Sequence, residues 1–269
     1  MSSPARYVQN LDQILTRSEG SFFNNVFRAK QRFYNQLIRD YQAQTDTTEA
    51  GVIDQEALEE HINTLLELTE TQYRKVSPLV TNATGLFLVG SLGNAFRSSI
   101  LLSRDFTQEA ANYVAIDGLN KATSIADTLI KDYRRVITNG IRDGLGVRDI
   151  ARNLRAEMPD LQKARSETIA RTETLMAMDH AKEITEEPVR NALTGNLASV
   201  WITAGDERVR DSHAVLNATY VGSGETFDVG GYPAQAPRTT GNASEDINCR
   251  CQRLVMTVEE AERRGYRRA

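Results

Sequence analysis

The spacing of apolar residues changes near Gly195, and this change limits the possible folds more than any other feature of the sequence. Before Gly195, apolar side chains recur every three or four residues over long stretches, which predicts amphipathic helices. After it, Ser199–Thr203 favours a strand, and seven glycines and prolines over 222–241 predict long loops. A second strand is predicted over Asn248–Val258. The sequence therefore predicts an α+β fold, with long amphipathic helices in the amino-terminal half followed by a small mixed domain.

Five helical segments are predicted before the change. The first has an amphipathic stripe, which consists of Phe23, Phe27, Lys30, Tyr34, Leu37 and Tyr41. The next segments run from about 54 to 73, from Thr107 to a glycine-rich stop at 140–146, and over roughly 147–157. The last occupies 161–193 and is expected to break or kink at Pro188. His61, beside the apolar face of the second segment, is predicted to be a packed or solvated side chain and not a ligand.

Composition excludes several classes of protein. The chain is 40% hydrophobic and 25% charged, which is typical of globular proteins. A net charge of -4 argues against a surface that binds nucleic acid throughout. Cys249 and Cys251 are too close in sequence for an unstrained disulfide and predict a reducing compartment. We expect no exported leader and no membrane contact, because the start lacks an apolar run and polar residues interrupt the apolar window 85–102.

Four short phrases occur in a fixed order in the second half of the chain. They are Ile169-Ala170-Arg171-Thr172-Glu173-Thr174, Trp201-Ile202-Thr203, Asp206-Glu207-Arg208-Val209-Arg210-Asp211-Ser212-His213 and Asn248-Cys249-Arg250-Cys251. The ordered set resembles the Mu F-like minor head proteins of tailed bacteriophages, the phage head morphogenesis family. The resemblance covers roughly 144–256 and predicts three regions: a helical region 1–143, a Mu F-like domain 144–258 and a basic tail 259–269.

The resemblance implies a structural role in the virion head and no enzymatic activity. Members of the family sit near the portal in few copies, and in some phages they leave with the DNA. Portal protein and capsid or scaffold proteins are the implied partners, with the host cytoplasm as the place of assembly. Two interpretations of the amphipathic stripe remain open at this stage: Phe23, Phe27, Tyr34 and Leu37 dock onto such partners, or they pack inside a helical bundle of the chain itself.

The site residues implied by the family phrases are Arg171, Thr172, Glu173, Trp201, Asp206, Arg208, His213, Asn248, Cys249 and Cys251. We expect these phrases to meet in one compact nucleus. Arg171 is predicted to be buried against loop carbonyls or Asp206, because a guanidinium can hold several backbone groups. The alternative is an exposed pair with Glu167.

His213, Cys249 and Cys251 are the residue types that bind zinc, but a closed structural site needs four ligands. Some relatives carry cysteines in place of Arg210 and His213, and a histidine in place of Asp246, so much of that ligand set is missing here. We therefore expect no cofactor: His213 is hydrogen-bonded and the thiols are small buried side chains. A zinc site completed by Asp206, Asp211 or Asp246 is the alternative.

Two enzyme classes are the alternative to a head protein, each as a toxin-like activity of the carboxy-terminal domain. A cysteine beside His213 has the residue types of a thiol hydrolase. ADP-ribosyltransferases use an arginine and a Glu-x-Glu pair, for which Arg171, Glu260 and Glu262 are the candidates. Because Thr257–Glu260 forms a capping box, Glu260 is better explained as a helix cap.

The tail is rich in arginine. Arg263, Arg264, Arg267 and Arg268 flank one tyrosine, which is a composition found in segments that contact phosphates. We predict non-specific DNA contact by these residues, against the alternative of a merely solvated terminus.

Overall fold

A computed structural model describes residues 3–43, 53–92, 112, 119–193 and 195–269. The fold is α+β, as predicted: long helices precede a few short strands in small sheets. The long helices are α1 (Pro4–Ala43), α2 (Gln55–Leu92), α3 (Leu119–Arg142) and α4 (Val147–Ala192). None of the described helices has an apolar stretch long enough to cross a membrane.

The predicted helix boundaries are partly wrong. The second helix continues past Tyr73 to Leu92, and the segments predicted over 147–157 and 161–193 form the single helix α4. The helix continues through Pro159, which lacks a backbone N–H donor, and Leu154 before it is fully buried in the core of the helical unit. The predicted start at Thr107 and most of the connection at 43–52 lie outside the described residues.

The elements after α4 are short. They are β1 (Leu197–Ile202), α5 (Asp211–Ala214), β2 (Thr219–Gly222), β3 (Phe227–Val229), β4 (Tyr232–Ala234), α6 (Ala243–Asp246), β5 (Gln252–Thr257), α7 (Val258–Arg263) and β6 (Arg267–Arg268). Four strands form a sheet in the order β5-β1-β2-β6, and β3 pairs with β4 in a separate hairpin. The strand predicted near Trp201 is confirmed as β1. The predicted second strand begins later than Asn248, at Gln252, so the two cysteines lie in the loop before β5.

The chain divides into two compact units. The sheet unit comprises the described residues of Met1–Ser18, Lys75–Phe106 and Arg171–Ala269, and the helical unit those of Glu19–Arg74 and Thr107–Ala170. Each unit combines segments that are distant in sequence. The three continuous ranges 1–143, 144–258 and 259–269 stay predictions.

The helical unit uses the amphipathic stripe of α1 for its own core. Tyr34 and Leu37 are 5% and 1% exposed and pack with α3 and the first turns of α4. Phe23 and Phe27 are half-buried and stack on each other with ring centroids 5.6 Å apart. The interpretation that this stripe docks onto a partner is therefore wrong for Tyr34 and Leu37, because the unit itself buries them. The bundle interpretation holds for Tyr34 and Leu37.

His61 confirms its predicted role as a packed side chain. It is 5% exposed and stacks on Phe33 in the helical unit, with centroids 4.4 Å apart. Burial, together with the positive charges of Lys30 and Arg32, lowers the pKa of His61 to about 4. The imidazole is therefore neutral at physiological pH.

The sheet unit contains the core that supports the site. The segment of α4 after Arg171 packs on the sheet through Leu175, Met178 and Ala181. On β1, successive residues alternate in direction, so Val200 enters that core while Trp201 enters a second cluster with Phe227, Cys249 and Cys251. The strand β1 thus connects the main core to the loops that carry the phrases.

Candidate functional site

The first and last phrases meet at Asn248. Arg171 on α4 donates to Asn248 Oδ1 over 2.9 Å, and the Asn248 backbone N–H donates to Thr172 Oγ1 over 3.0 Å. Asn248 has a φ of 61°, a left-handed conformation that asparagine tolerates better than most residues. Beside them, Glu173 is buried, with 8% of its surface exposed. The prediction that these phrases converge is confirmed.

Arg171 does not have the predicted partner. It is half-buried, and Asp206 is bound instead by Arg250, which donates from Nη1 over 2.7 Å and from Nη2 over 2.6 Å. Asp206 also accepts from the backbone N–H of Arg208 over 3.1 Å. These hydrogen bonds, above all those of Arg250, hold the pKa of Asp206 at about 2. Asp206 therefore connects the third phrase to the fourth. The side chain of Arg208 is exposed, and Arg208 takes part in this link through its backbone N–H.

Trp201 joins the second phrase to the third and the fourth. Its side chain is fully buried, and its ring meets the rings of His213 and Phe227 edge-on at 5.5 and 5.2 Å. Such perpendicular contacts suit aromatic quadrupoles. The indole thus forms one wall of the cluster around His213.

The thiols and the imidazole form a tight cluster. His213 Nδ1 lies 3.4 Å from Cys251 Sγ and 3.5 Å from Cys249 Sγ. On the other side of the ring, Nε2 lies 3.0 Å from Glu245 Oε2, and the Ser212 hydroxyl donates to the same oxygen over 2.8 Å. Glu245 was not among the residues predicted from sequence, and it fixes the orientation of His213.

The cluster shares protons between its members. A hydrogen bond from Cys251, with others from His213 and the charge of Arg238, lowers the pKa of Cys249 to about 4. The hydrogen bond to Cys249 and burial raise the pKa of Cys251. Burial opposes a charge on His213, but its hydrogen bonds to Cys249 and Glu245 outweigh burial and raise its pKa. The thiols therefore titrate as a pair that keeps one proton at neutral pH.

Arg238 has the role that was predicted for Arg171. Its side chain is 1% exposed, and it donates from Nη1 to the carbonyls of Cys249 and Cys251 over 2.7 and 2.8 Å. Its Nε donates to Asp179 Oδ2 over 2.5 Å. Its φ of 68° is unusual for arginine and directs the side chain inward at a cost in backbone energy. No motif marked Arg238 in the sequence, where it is one of many loop residues.

A second set of buried charges lies between α4 and β5. Lys182, fully buried, contacts Asp179 over 2.7 Å and Gln252 over 2.9 Å. Arg253 pairs with Glu183 over 2.8 Å and also with Glu186. Burial alone would raise the pKa of Asp179, but Arg238 and Lys182 hold it at about 2. These pairs fix the helix against the strand that follows the two cysteines.

The geometry offers three metal ligands. The ligand atoms of His213, Cys249 and Cys251 lie within 4.8 Å of one another, and no further ligand-type residue joins them among the residues described. Asp206 is bound to Arg250, and Asp246 accepts from Thr240 and Gly241. Glu245 is held by the opposite nitrogen of His213. The residues therefore fit a three-ligand site but not a closed four-ligand structural zinc site.

The arrangement of Cys249, His213 and Glu245 provides a thiol, a base and an orienting carboxylate, but little access. Cys249 and Cys251 are 2% and 3% exposed. The adjacent cavity, lined by Arg208, Arg210 and the cysteines among others, has a volume of about 10 Å³. That volume is close to the minimum for one water molecule. A substrate does not fit beside the thiols in this conformation.

The residues suggested for ADP-ribosyl transfer have separate structural partners. Arg171 lies on α4 and not on a strand, Glu260 binds Arg263 and Arg264, and Glu262 accepts from the Tyr220 hydroxyl over 2.9 Å. Thr257 Oγ1 accepts from the Glu260 N–H over 3.2 Å, so the Thr257 half of the predicted capping box is confirmed, while the Glu260 carboxylate binds arginines instead.

The basic tail is folded and not a free terminus. Arg267 and Arg268 form β6, which pairs in parallel with Thr219 and Tyr220 of β2. Arg263 and Arg264 both bind Glu260, and Arg268 binds Glu225. Three of the four tail arginines therefore have a carboxylate partner.

Comparison with known families matches the part of the chain that carries this cluster. Residues 131–254 match the family described as phage Mu protein F like protein. This part of the chain is phage Mu F-like. The Mu F-like region contains α4, β1 and the whole cluster, and it ends within β5. It begins within α3, before the start that the phrases alone suggested.

One curated relative has a different name. The chain is 30% identical over 160 residues to NAD(+)--arginine ADP-ribosyltransferase EFV of Enterococcus faecalis. The match covers 59% of this chain but 32% of the relative, so the chain spans about a third of that protein. No solved structure is significantly similar to the chain.

Proposed function

We propose that this protein is a minor head protein of a tailed bacteriophage, which acts in head morphogenesis next to the portal and is carried in the virion. The Mu F-like region supports a role in phage head morphogenesis. Portal protein and capsid or scaffold proteins are the partners we propose, with assembly in the host cytoplasm. Departure of the protein with the DNA belongs to the same proposal.

The observation that supports this role best is how the family phrases are used. Arg250, Asn248 and Arg238 hold loops and strands together through hydrogen bonds, and the cluster has no room for a substrate. A site that rigidifies loops suits a protein whose function is to present a surface to partners. Because this rigidity comes from hydrogen bonds and packing, the proposal includes no resident metal.

The surface we assign to the portal lies on the loops around α5 and α6. Arg210 donates to the Ile247 carbonyl over 2.7 Å, and Ser212 contacts Glu245, so these segments form one body. Val215, Tyr232 and Ile247 carry exposed apolar side chains on it, with exposed fractions of 69%, 43% and 44%. Tyr34 and Leu37 of the amphipathic stripe pack inside the helical unit, so we assign portal contact to these loops. Exposed apolar side chains on rigid loops are suited to binding another protein.

Co-expression with the portal protein of the same phage tests the assignment. We expect the two to co-purify, and we expect Val215→Asp combined with Ile247→Asp to abolish co-purification without lowering the melting temperature. Ile141→Asp, at an apolar position of similar exposure in the helical unit, is the matched control and should co-purify normally. Loss of binding in the control alone, or no binding by the unaltered chain, would contradict the proposal.

A further inference from the structure

The solvent-exposed side of α3 carries a row of positive charges. The role in head assembly proposed above assigns no function to them. Lys131, Arg134, Arg135 and Arg142 are all exposed. Their spacing along the helix places them on the side opposite Tyr133, which is 1% exposed in the core of the helical unit. We call these four residues the α3 basic face.

The charge of this region contrasts with that of the whole chain. Between 131 and 155 there are seven basic and three acidic residues, whereas the chain has a net charge of -4. One of the three acids, Asp132, is bound by Arg165 and is 13% exposed. Positive charge is therefore concentrated here, which favours attraction of a polyanion.

The basic side chains of this face remain available to a ligand. The pairs Arg135–Glu157 and Arg142–Asp143 span 3.7 and 3.6 Å, and all four side chains are about half or more exposed. Exposed pairs of this kind contribute little energy. Lys131 and Arg134 have no ion-pair partner among the residues that the structure describes. In the tail, three of the four arginines make shorter contacts with carboxylates, two with Glu260 and one with Glu225.

We propose that the α3 basic face binds the phosphate backbone of duplex DNA without sequence preference. The face spans about 16 Å along the helix, enough to follow several phosphates of one strand. This inference deepens the proposed function and rests on it, because a head protein beside the portal lies next to packaged DNA. It moves the expected DNA contact from the tail to α3.

Salt dependence of binding tests the assignment. The full chain is titrated with a fluorescent 25-base-pair duplex at several salt concentrations between 50 and 200 mM. Four phosphate contacts predict that affinity falls about 150-fold over this range. The face variant changes Lys131, Arg134, Arg135 and Arg142 to Gln. The tail variant changes Arg263, Arg264, Arg267 and Arg268 to Gln and thus removes the same charge elsewhere.

We expect the face variant to lose nearly all of the salt dependence and at least 100-fold in affinity at 50 mM salt. The tail variant should keep the salt dependence of the unaltered chain, with a slope that differs by no more than about one phosphate contact. Circular dichroism checks that both variants are folded. Loss of binding in the tail variant alone, equal slopes in all three proteins, or no DNA binding by the unaltered chain would overturn the inference.

A second ligand is included as an arm of the test. Vesicles of phosphatidylcholine with phosphatidylserine present anionic headgroups on a membrane. We expect no sedimentation of the chain with them at 150 mM salt, and binding to vesicles without binding to duplex DNA would overturn the inference. A chain that binds DNA through α3 but never enters heads would refute the proposed function and leave the DNA assignment standing.

Discussion

Removing the buried guanidinium of Arg238 is the most severe single perturbation that the structure of the site predicts. Arg238→Met deletes two charge-assisted hydrogen bonds, to the carbonyls of Cys249 and Cys251, and one ion pair with Asp179. Each such hydrogen bond contributes roughly 1.5–3 kcal/mol, and breaking a buried ion pair typically costs about 3–5 kcal/mol. Methionine would retain the left-handed backbone, so no strain is relieved. Because the same guanidinium makes all these contacts, their costs are not additive, and we expect a loss of about 4 kcal/mol, the cost of breaking one buried pair.

Trp201 makes this loss measurable in the sheet unit alone. It is the single tryptophan of the chain and lies beside the site, so its fluorescence during urea unfolding reports on that unit. With an m-value of about 2 kcal/mol per molar, the midpoint should fall by about 2 M. Arg208→Met, an exposed arginine of the same region, is the control and should change stability by less than about 0.5 kcal/mol.

A double-mutant cycle with Asp179→Asn isolates the ion pair. The summed losses of unfolding free energy in the two single variants should exceed the loss in the double variant by about 1–3 kcal/mol, because each single change leaves a charged partner buried. If Arg238→Met lowers the midpoint by less than about 0.5 M, or if the two changes are additive, then Arg238 does not organise the loop and the reasoning fails.

Four further predictions follow from the structure. Folding lowers the pKa of His61 from 6.5 to about 4, so the helical unit should have its full stability above pH 6.5 and lose about 3 kcal/mol as the pH falls to 4. Hydrogen exchange of the α2 amides measures this loss, and His61→Leu should remove the pH dependence. Asn248→Ala should destabilise the sheet unit by about 1 kcal/mol more than Asn248→Gly, since only alanine is strained at a φ of 61°, and equal unfolding midpoints would refute the constraint. Elemental analysis of the purified chain should find far less than one zinc per chain, because three ligands converge at the cluster, and stoichiometric zinc would contradict the metal-free interpretation. Labelled NAD should transfer no label to protein, and transfer abolished by Glu260→Gln would support the enzyme alternative instead.

Much of the architecture was accessible from sequence because periodicity reports which side of a helix is buried. The spacing of Tyr34 and Leu37 predicts a buried side of α1, and both residues are buried. Lys30, the one charged residue of the stripe, is buried with them at 2% exposure. Periodicity does not say whether another part of the chain or another protein covers the stripe. That depended on tertiary contacts of α3 and α4, which the sequence alone does not specify.

Residues of the site were predictable to the extent that they stood in phrases. The phrases that contain Asp206 and Trp201 do meet the Asn248 phrase, through Arg250, which binds Asp206, and through Cys249, which packs with Trp201. Arg238 and Glu245 were missed because each is an ordinary loop residue whose role arises from the path of the backbone. The positive φ of Arg238, which turns its side chain into the site, becomes visible only in three dimensions.

The tail shows that composition alone does not predict which charged side chains are free to bind phosphate. Four arginines near the end of the chain suggested a phosphate-binding segment, but their carboxylate partners come from elsewhere in the fold. Glu225, which binds Arg268, is 43 residues away in sequence. The exposed arginines of α3, spread along a helix, form a less obvious pattern, and their ion pairs are longer, at 3.7 and 3.6 Å.

Quantitative mass spectrometry of purified phage heads tests the central claim most directly. The claim is that this chain is a component of the virion head, held next to the portal. We predict that the chain is present in gradient-purified heads in a few copies per particle, and that it is lost from heads when Val215→Asp and Ile247→Asp are combined. Its absence from heads that contain portal and capsid proteins, in a strain that produces the chain, would contradict the account.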